Sequence, residues 1–199
     1  AFTLGERRRV SEVLGEVVQS IIPRYKRLAE REQIELSTTP YYHPITPLLL
    51  DFASARESLP EADLPQRRIY EGGHARARQH LQLALQAHER WFGSPAQGVW
   101  PAEGGVSLAS AQLFAEQGVK WIATGEGVLA NSLAAARKFT GGRESYLYTP
   151  YGVDGAAGHA IACFFRDDKL SDRIGFEYAK WHADDAVPDF VGALEHIAQ

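Results

Sequence analysis

Apolar residues recur at helical spacing from Glu6 to about Glu32, at Val10, Val13, Leu14, Val17, Ile21, Ile22 and Leu28, which predicts a long helix. Pro23 falls inside it and is expected to bend or split it. The run IELSTTP then alternates and carries β-branched residues, predicting a strand that ends near Pro40. YYHPITP reads as a loop, because each of its two prolines restricts the residue before it. LLLDFASA reads as a short helix, and Leu59 to Arg68 as irregular chain.

After Gly72-Gly73, HARARQHLQLALQAHERWF predicts a strong helix stopped by Gly93, and GVW a short buried strand. Ser107 is placed to cap a helix over LASAQLFAEQ that Gly118 closes. VKWIATG predicts the next strand, GVLANSLAAARKF a helix, and YLYTPYGV and HAIACFFR two further strand-like runs. Ser171 is placed to cap SDRIGFEYAK, and Pro188 to open a final helix.

Strands and helices therefore alternate, and several strands are continuously apolar. That pattern predicts an α/β fold, a parallel sheet covered by helices and either open or closed as a barrel. In such folds the chemistry collects on loops after the C-terminal ends of strands. His43, Glu103 and Asp167 each follow a strand in that sense.

Composition changes the picture little. A chain of 199 residues, 45% hydrophobic, suffices for one domain with a substantial core. The net charge of -4 is dispersed, without a basic block, so nothing recommends nucleic acid or an anionic membrane as partner. No apolar stretch approaches the roughly 20 residues of a membrane span. The single Cys163 rules out an intrachain disulfide and fits a cytoplasmic location. The sequence holds no Met, opens close to a helix and ends inside an apparent one, so residues 1–199 read as an internal portion of a longer protein or as a processed one.

Among candidate chemical groups, Glu103 in GVWPAEGGVS leads: it follows a strand, lies near Trp100 and precedes two glycines. It serves either as a reagent or as a loop charge favouring the next helix N-terminus. Trp100 is a sugar-stacking platform or a core residue, and His43 in PYYHP a binding residue or a structural histidine. In FFRDDKLSDRIGF, Arg166 is placed to pair with an acid, whereas Asp168 and Lys169 read as solvated. Glu126, also after a strand, reaches for the same rim. His74, His80 and His88 share one helix at spacings that match no zinc motif, so no metal site is expected. No phosphate loop or GxSxG pattern occurs, and no cofactor is called for.

Four blocks, IELSTTPYYHPITPLL, HERWFGSPAQGVWPAEGGVS, KWIATGEGVLANSL and FFRDDKLSDRIGFEYAKW, resemble in content and order glycoside hydrolase family 57, over residues 33–190. The resemblance implies part of an irregular (β/α)7 barrel, with residues 1–199 its central portion, and a retaining mechanism on α-glucans of the amylase or amylopullulanase type. It puts the nucleophile of the block G-x-W-x-x-E on Glu103, makes His43 and Trp100 sugar-subsite residues, and brings Arg166 and Asp167 to the cleft border. It also implies a general acid/base aspartate in a stretch like LDGEN, beyond Gln199. Retaining hydrolysis needs two carboxyl groups about 5–5.5 Å apart, so residues 1–199 alone are expected to be nearly inactive. Where the family carries an aspartate in a block like ATDE, this chain has Gly125.

The expected partner is an α-glucan or oligosaccharide. A 4-α-glucanotransferase shares the covalent intermediate and differs only in its acceptor. A metal-dependent polysaccharide deacetylase, which would need an Asp and two His ligands, and a non-catalytic glucan-binding module are the alternative readings.

Overall fold

The computed structural model describes residues 2–137, 141–154 and 160–198. Its centre is strand β2 (Trp121–Gly125), whose Ile122, Ala123 and Thr124 are all buried. The apolar run of β2 needs cover on both faces and neighbours on both edges. Strands β1 (Gly98–Val99) and β4 (Ala160–Arg166) pair with it in parallel, and β3 (Tyr151–Asp154) lies antiparallel on the far side of β4. The sheet order is β1-β2-β4-β3. The sheet is therefore mixed, and the expectation of parallel strands throughout fails at β3.

The reason lies in YLYTPYGV. Its first residues form a helical turn, α7 (Glu144–Leu147), with Leu147 buried, and Pro150 supplies no N–H for a strand to use. Only the last part of the run remains to pair, and it returns along β4. IELSTTP likewise contributes one parallel bridge, Thr38 to Val99, rather than a strand. Two backbone bonds hold it there, from the Thr38 amide to the Gly98 carbonyl and from the Trp100 amide to the Thr38 carbonyl.

Helices α4 (Gly73–Phe92) and α5 (Leu108–Glu116) contribute to the core: Ala77, Leu81, Leu113 and Phe114 pack with Val99, Ile122, Ile161 and Cys163. Gly93 ends α4 at φ 82°, as predicted. Ser107 caps α5 in a reciprocal box with Ser110. Gly98 is required where it stands, because a Cβ there would lie 1.9 Å from the Trp121 ring. The Trp121 Nε1–H in turn donates to Glu35 at 2.6 Å.

The remaining helices are α1 (Leu4–Glu30), α2 (Thr46–Leu50), α3 (Ala55–Ser58), α6 (Glu126–Ala135), α8 (Asp168–Asp172) and α9 (Ala183–Ile197). Helix α1 stays continuous through Pro23 and ends two residues earlier than expected, where Glu32 turns left-handed. LLLDFASA breaks at Asp51, whose carboxylate accepts from the Ala53 amide and starts a separate 3-10 turn. Asp167, rather than Ser171, caps α8, which passes into a π turn over Arg173–Glu177. Helix α9 starts at Ala183, so Pro188 sits inside it rather than opening it. Lys138 and Phe139, the end of the run GVLANSLAAARKF, and His159, the start of HAIACFFR, lie outside the described residues.

Candidate active site

Three parallel strand ends and the Thr38 bridge deliver their following residues to one side of the sheet. Strand β1 stops because Pro101 has no N–H to pair. The turn Ala102–Gly104 follows, closed by bonds from the Gly104 amide to the Pro101 carbonyl (2.9 Å) and from Gly105 to Ala102 (3.0 Å). The buried Thr124 hydroxyl on β2 donates to the Gly104 carbonyl, tying the turn to the central strand. Glu103, at the tip, is held at φ 55°, ψ 18° with its side chain 73% exposed. A left-handed non-glycine residue of this kind costs on the order of 1–3 kcal/mol and persists only where its surroundings fix it.

The same strain marks the second loop. Tyr42 (φ 67°) and His43 (φ 54°) are both left-handed, and the His43 amide bonds back to the Pro40 carbonyl. Three of the five left-handed non-glycine residues described thus lie on two loops that face each other across the sheet end. His43 Nδ1 and Glu103 Oε1 are 3.7 Å apart. That is beyond hydrogen-bond length, leaving both groups open to solvent and to a ligand.

A cleft of about 490 Å3 joins these residues to the end of β4: His43, Trp100, Glu103, Arg166 and Asp168 line it, with Thr124, Gly125 and Asn131. Arg166 lies 5.8 Å from the centroid of the Trp100 ring and grips one oxygen of Asp168, from Nε at 2.8 Å and a terminal nitrogen at 2.7 Å. A second recess, about 590 Å3, shares Glu103 and Gly104 and is walled by Ile45, Pro47, Val106 and Val128. Glu103 stands where the two meet.

The structure brings His43, Trp100, Glu103 and Arg166 together at this cleft. Asp167 points elsewhere. Its side chain, 11% exposed, pairs with Arg143 at 2.7 Å, accepts from the Tyr148 hydroxyl at 2.7 Å and caps the Leu170 amide at 3.0 Å. Burial works against its charge, but the hydrogen bonds from Arg143, Leu170 and Tyr148 prevail and hold the carboxyl at about 2. Glu126 shares the same Arg143 guanidinium rather than lining the cleft. The reading of Asp168 as a solvated charge is corrected, since Arg166 and the cleft wall hold it. Asp168 and Arg143 were missed because they carry no motif; the R-x-D spacing at the end of an apolar strand was the available signal for Asp168. The helical histidines stay apart from this cleft, and among the described residues no group of three or more His, Cys, Asp or Glu is placed to hold a metal ion.

Fold and site together define an α/β protein with a carboxylate, a histidine and a tryptophan in a cleft at strand C-terminal ends. The chain belongs to glycosyl hydrolase family 57, whose model matches residues 10–199. Among solved structures it is similar to a 4-alpha-glucanotransferase from Thermococcus litoralis, at 18% identity and TM-score 0.52, covering 82% of this chain and 22% of that one. It is similar also to the alpha-amylase AmyC from Thermotoga maritima (16%, 0.52, covering 84% and 26%) and to a GH57-type branching enzyme from Pyrococcus horikoshii (15%, 0.51, covering 88% and 29%). At these identities the likeness shows a shared fold. The chain spans about a quarter of the length of these structures. No curated protein matches the sequence.

Proposed function

We propose that residues 1–199 form the nucleophile side of the active site in a retaining enzyme acting on α-glucans, built on part of a (β/α)7 barrel. The observation that carries this reading is the position of Glu103, strained and exposed at the tip of the β1 turn, beside His43 and Trp100 in one cleft. A carboxylate oxygen of Glu103 attacks the anomeric carbon and the bond to the leaving oxygen breaks, with a separate carboxylic acid protonating that oxygen. Water or a sugar hydroxyl then attacks the glycosyl-enzyme ester, returning a proton to the acid's conjugate base and freeing Glu103.

Neither aspartate after β4 suits the acid's part. Asp167 is held at about 2 and faces Arg143, so it has no proton to offer near neutral pH, and the Asp168 carboxylate is gripped through Oδ1 by the Arg166 guanidinium. The family resemblance implies an aspartate in a stretch like LDGEN for that role. Hydrolysis and glucan transfer share every step up to the ester. The transfer reading draws on the apolar recess beside Glu103, which gives an acceptor sugar a place to lie. The deacetylase reading has no ligand set to support it among the described residues.

The test is Glu103→Gln in the intact protein. Loss of one member of the carboxyl pair is expected to lower kcat by about 10³-fold or more, while maltoheptaose still binds. Near-normal turnover would overturn the assignment.

A further inference from the structure

Asp168 has one engaged oxygen and one that is not. Arg166 donates twice to Oδ1, from Nε and from the terminal nitrogen. The other oxygen, Oδ2, lies over Gly125: a Cβ at that position would stand 3.3 Å from Oδ2 and 3.5 Å from Oδ1. Residue 125 is the last of β2 and pairs in register with Arg166, the last of β4. The turn after Arg166 therefore folds Asp168 back across the neighbouring strand end, into space that any side chain at 125 would crowd. Asp168, Gly125, Trp100 and Glu103 line the same cleft. One wall thus presents an indole covered in part by a guanidinium, and beside it a carboxylate oxygen whose orientation that guanidinium fixes.

A fixed carboxylate oxygen in an open cleft is an acceptor, and a sugar offers hydroxyl donors around an apolar ring. Hydrogen bonds to a charged acceptor are about twice as strong as neutral ones, and holding the acceptor beforehand spares the cost of ordering it on binding. We infer that Asp168 is a sugar-binding residue that accepts a hydrogen bond through Oδ2 from a hydroxyl of the glucan unit lying against Trp100, with Gly125 keeping that position open. The inference rests on the reading of the cleft as an α-glucan site and adds to it a residue and the side-chain vacancy that residue uses.

The experiment measures calorimetric binding of maltoheptaose to the intact protein in the Glu103→Gln background, so that turnover does not interfere. Asp168→Ala is expected to weaken binding by about 10- to 100-fold, the loss of one hydrogen bond to a charged group. Asp168→Asn, which keeps an acceptor oxygen but loses the charge, should fall between the two. Gly125→Ala leaves Asp168 present but crowds its carboxylate, and is expected to weaken binding several-fold.

A series of monodeoxy maltotriosides removes the hydroxyls one at a time. One member should bind the parent about as weakly as it binds Asp168→Asn, because the partner hydroxyl is then missing from both complexes. This comparison carries the test if Asp168→Ala fails to fold, as judged by its thermal midpoint. Equal maltoheptaose binding by folded Asp168→Ala and its parent would overturn the inference and leave the α-glucan reading intact. No binding of any maltooligosaccharide by the wild type or by Glu103→Gln would overturn both.

Discussion

At the residue scale the two aspartates after β4 show how adjacent carboxyls acquire different tasks. Asp168 turns to the cleft under Arg166, whereas Asp167 turns inward to Arg143, Tyr148 and the α8 amide. The folded-state value of Asp167, about 2, lies below its ordinary 3.8. Its stabilising contribution is therefore complete above the ordinary value and is lost as pH falls through the folded one. Asp167→Asn, which can still cap Leu170 but leaves Tyr148 without a charged partner and Arg143 with Glu126 alone, is expected to cost about 1–3 kcal/mol at pH 7. The difference between wild type and variant should shrink between pH about 4 and about 2, as followed by urea unfolding across that range. A difference that does not change with pH would show that the carboxylate charge contributes nothing. His43 and Glu103 drew notice because each was read as following a strand, Trp100 as an aromatic platform beside Glu103, and Arg166 as a partner for an acid. Asp167 was expected at the same rim by its place after a strand, but its side chain turns inward to Arg143 and Tyr148. Which of two neighbours points inward depends on Arg143, which lies 24 residues earlier in sequence and carries no motif.

At the element scale, the parts that read correctly are those whose signals are local. Helix α4 ends at a left-handed glycine, α5 starts at a serine cap, and β2 is a short apolar run bounded by charge and glycine. Long-range partners set the parts that did not. IELSTTP has a strand's composition but finds only Val99 to pair with, because Pro101 halts β1 after two residues. YLYTP has aromatic residues suited to a strand, yet the burial of Leu147 and the reach of Tyr148 to Asp167 favour a helical turn. Pro188 looked like a first-turn proline, but His182, Asp184 and Asp185 already supply a start for α9 five residues earlier. The cap on α5 gives the cleanest test, because α5 packs into the core directly after the Glu103 turn. Ser107→Ala removes the acceptor for the Ser110 amide and leaves that buried donor unpaired. It is expected to lower stability by about 0.5–2 kcal/mol in denaturant unfolding. Ser107→Asp, which restores an acceptor, should recover most of that loss. A Ser107→Ala variant as stable as wild type would mean that the box contributes nothing to the fold.

At the scale of the whole molecule, the cleft draws on loop residues 43, 100 and 103 and on strand ends 125 and 166, so the sheet rather than any local segment assembles it. The alternation of strands and helices made that assembly legible, and so did the rule that chemistry gathers at strand C-terminal ends. What composition and periodicity did not convey is where the apolar surface faces. Helix α1 repeats its apolar residues with helical regularity, yet it contains no buried residue: Leu14 is 59% exposed, Val17 54% and Val18 64%. Periodicity reports that one face of a helix is apolar, not that a neighbour covers it. An apolar stripe of this length on a free surface favours association. Residues 1–199 prepared alone are therefore expected to self-associate with rising concentration and to bind a hydrophobic dye such as ANS. The triple substitution Leu14→Glu, Val17→Lys and Val18→Glu should reduce both, measured by light scattering and dye fluorescence. Because these side chains contact little, unfolding should shift by only about 0.5 kcal/mol per substitution. A loss of several kcal/mol would instead show that this face is packed within the chain, and the exposed stripe would have to be abandoned.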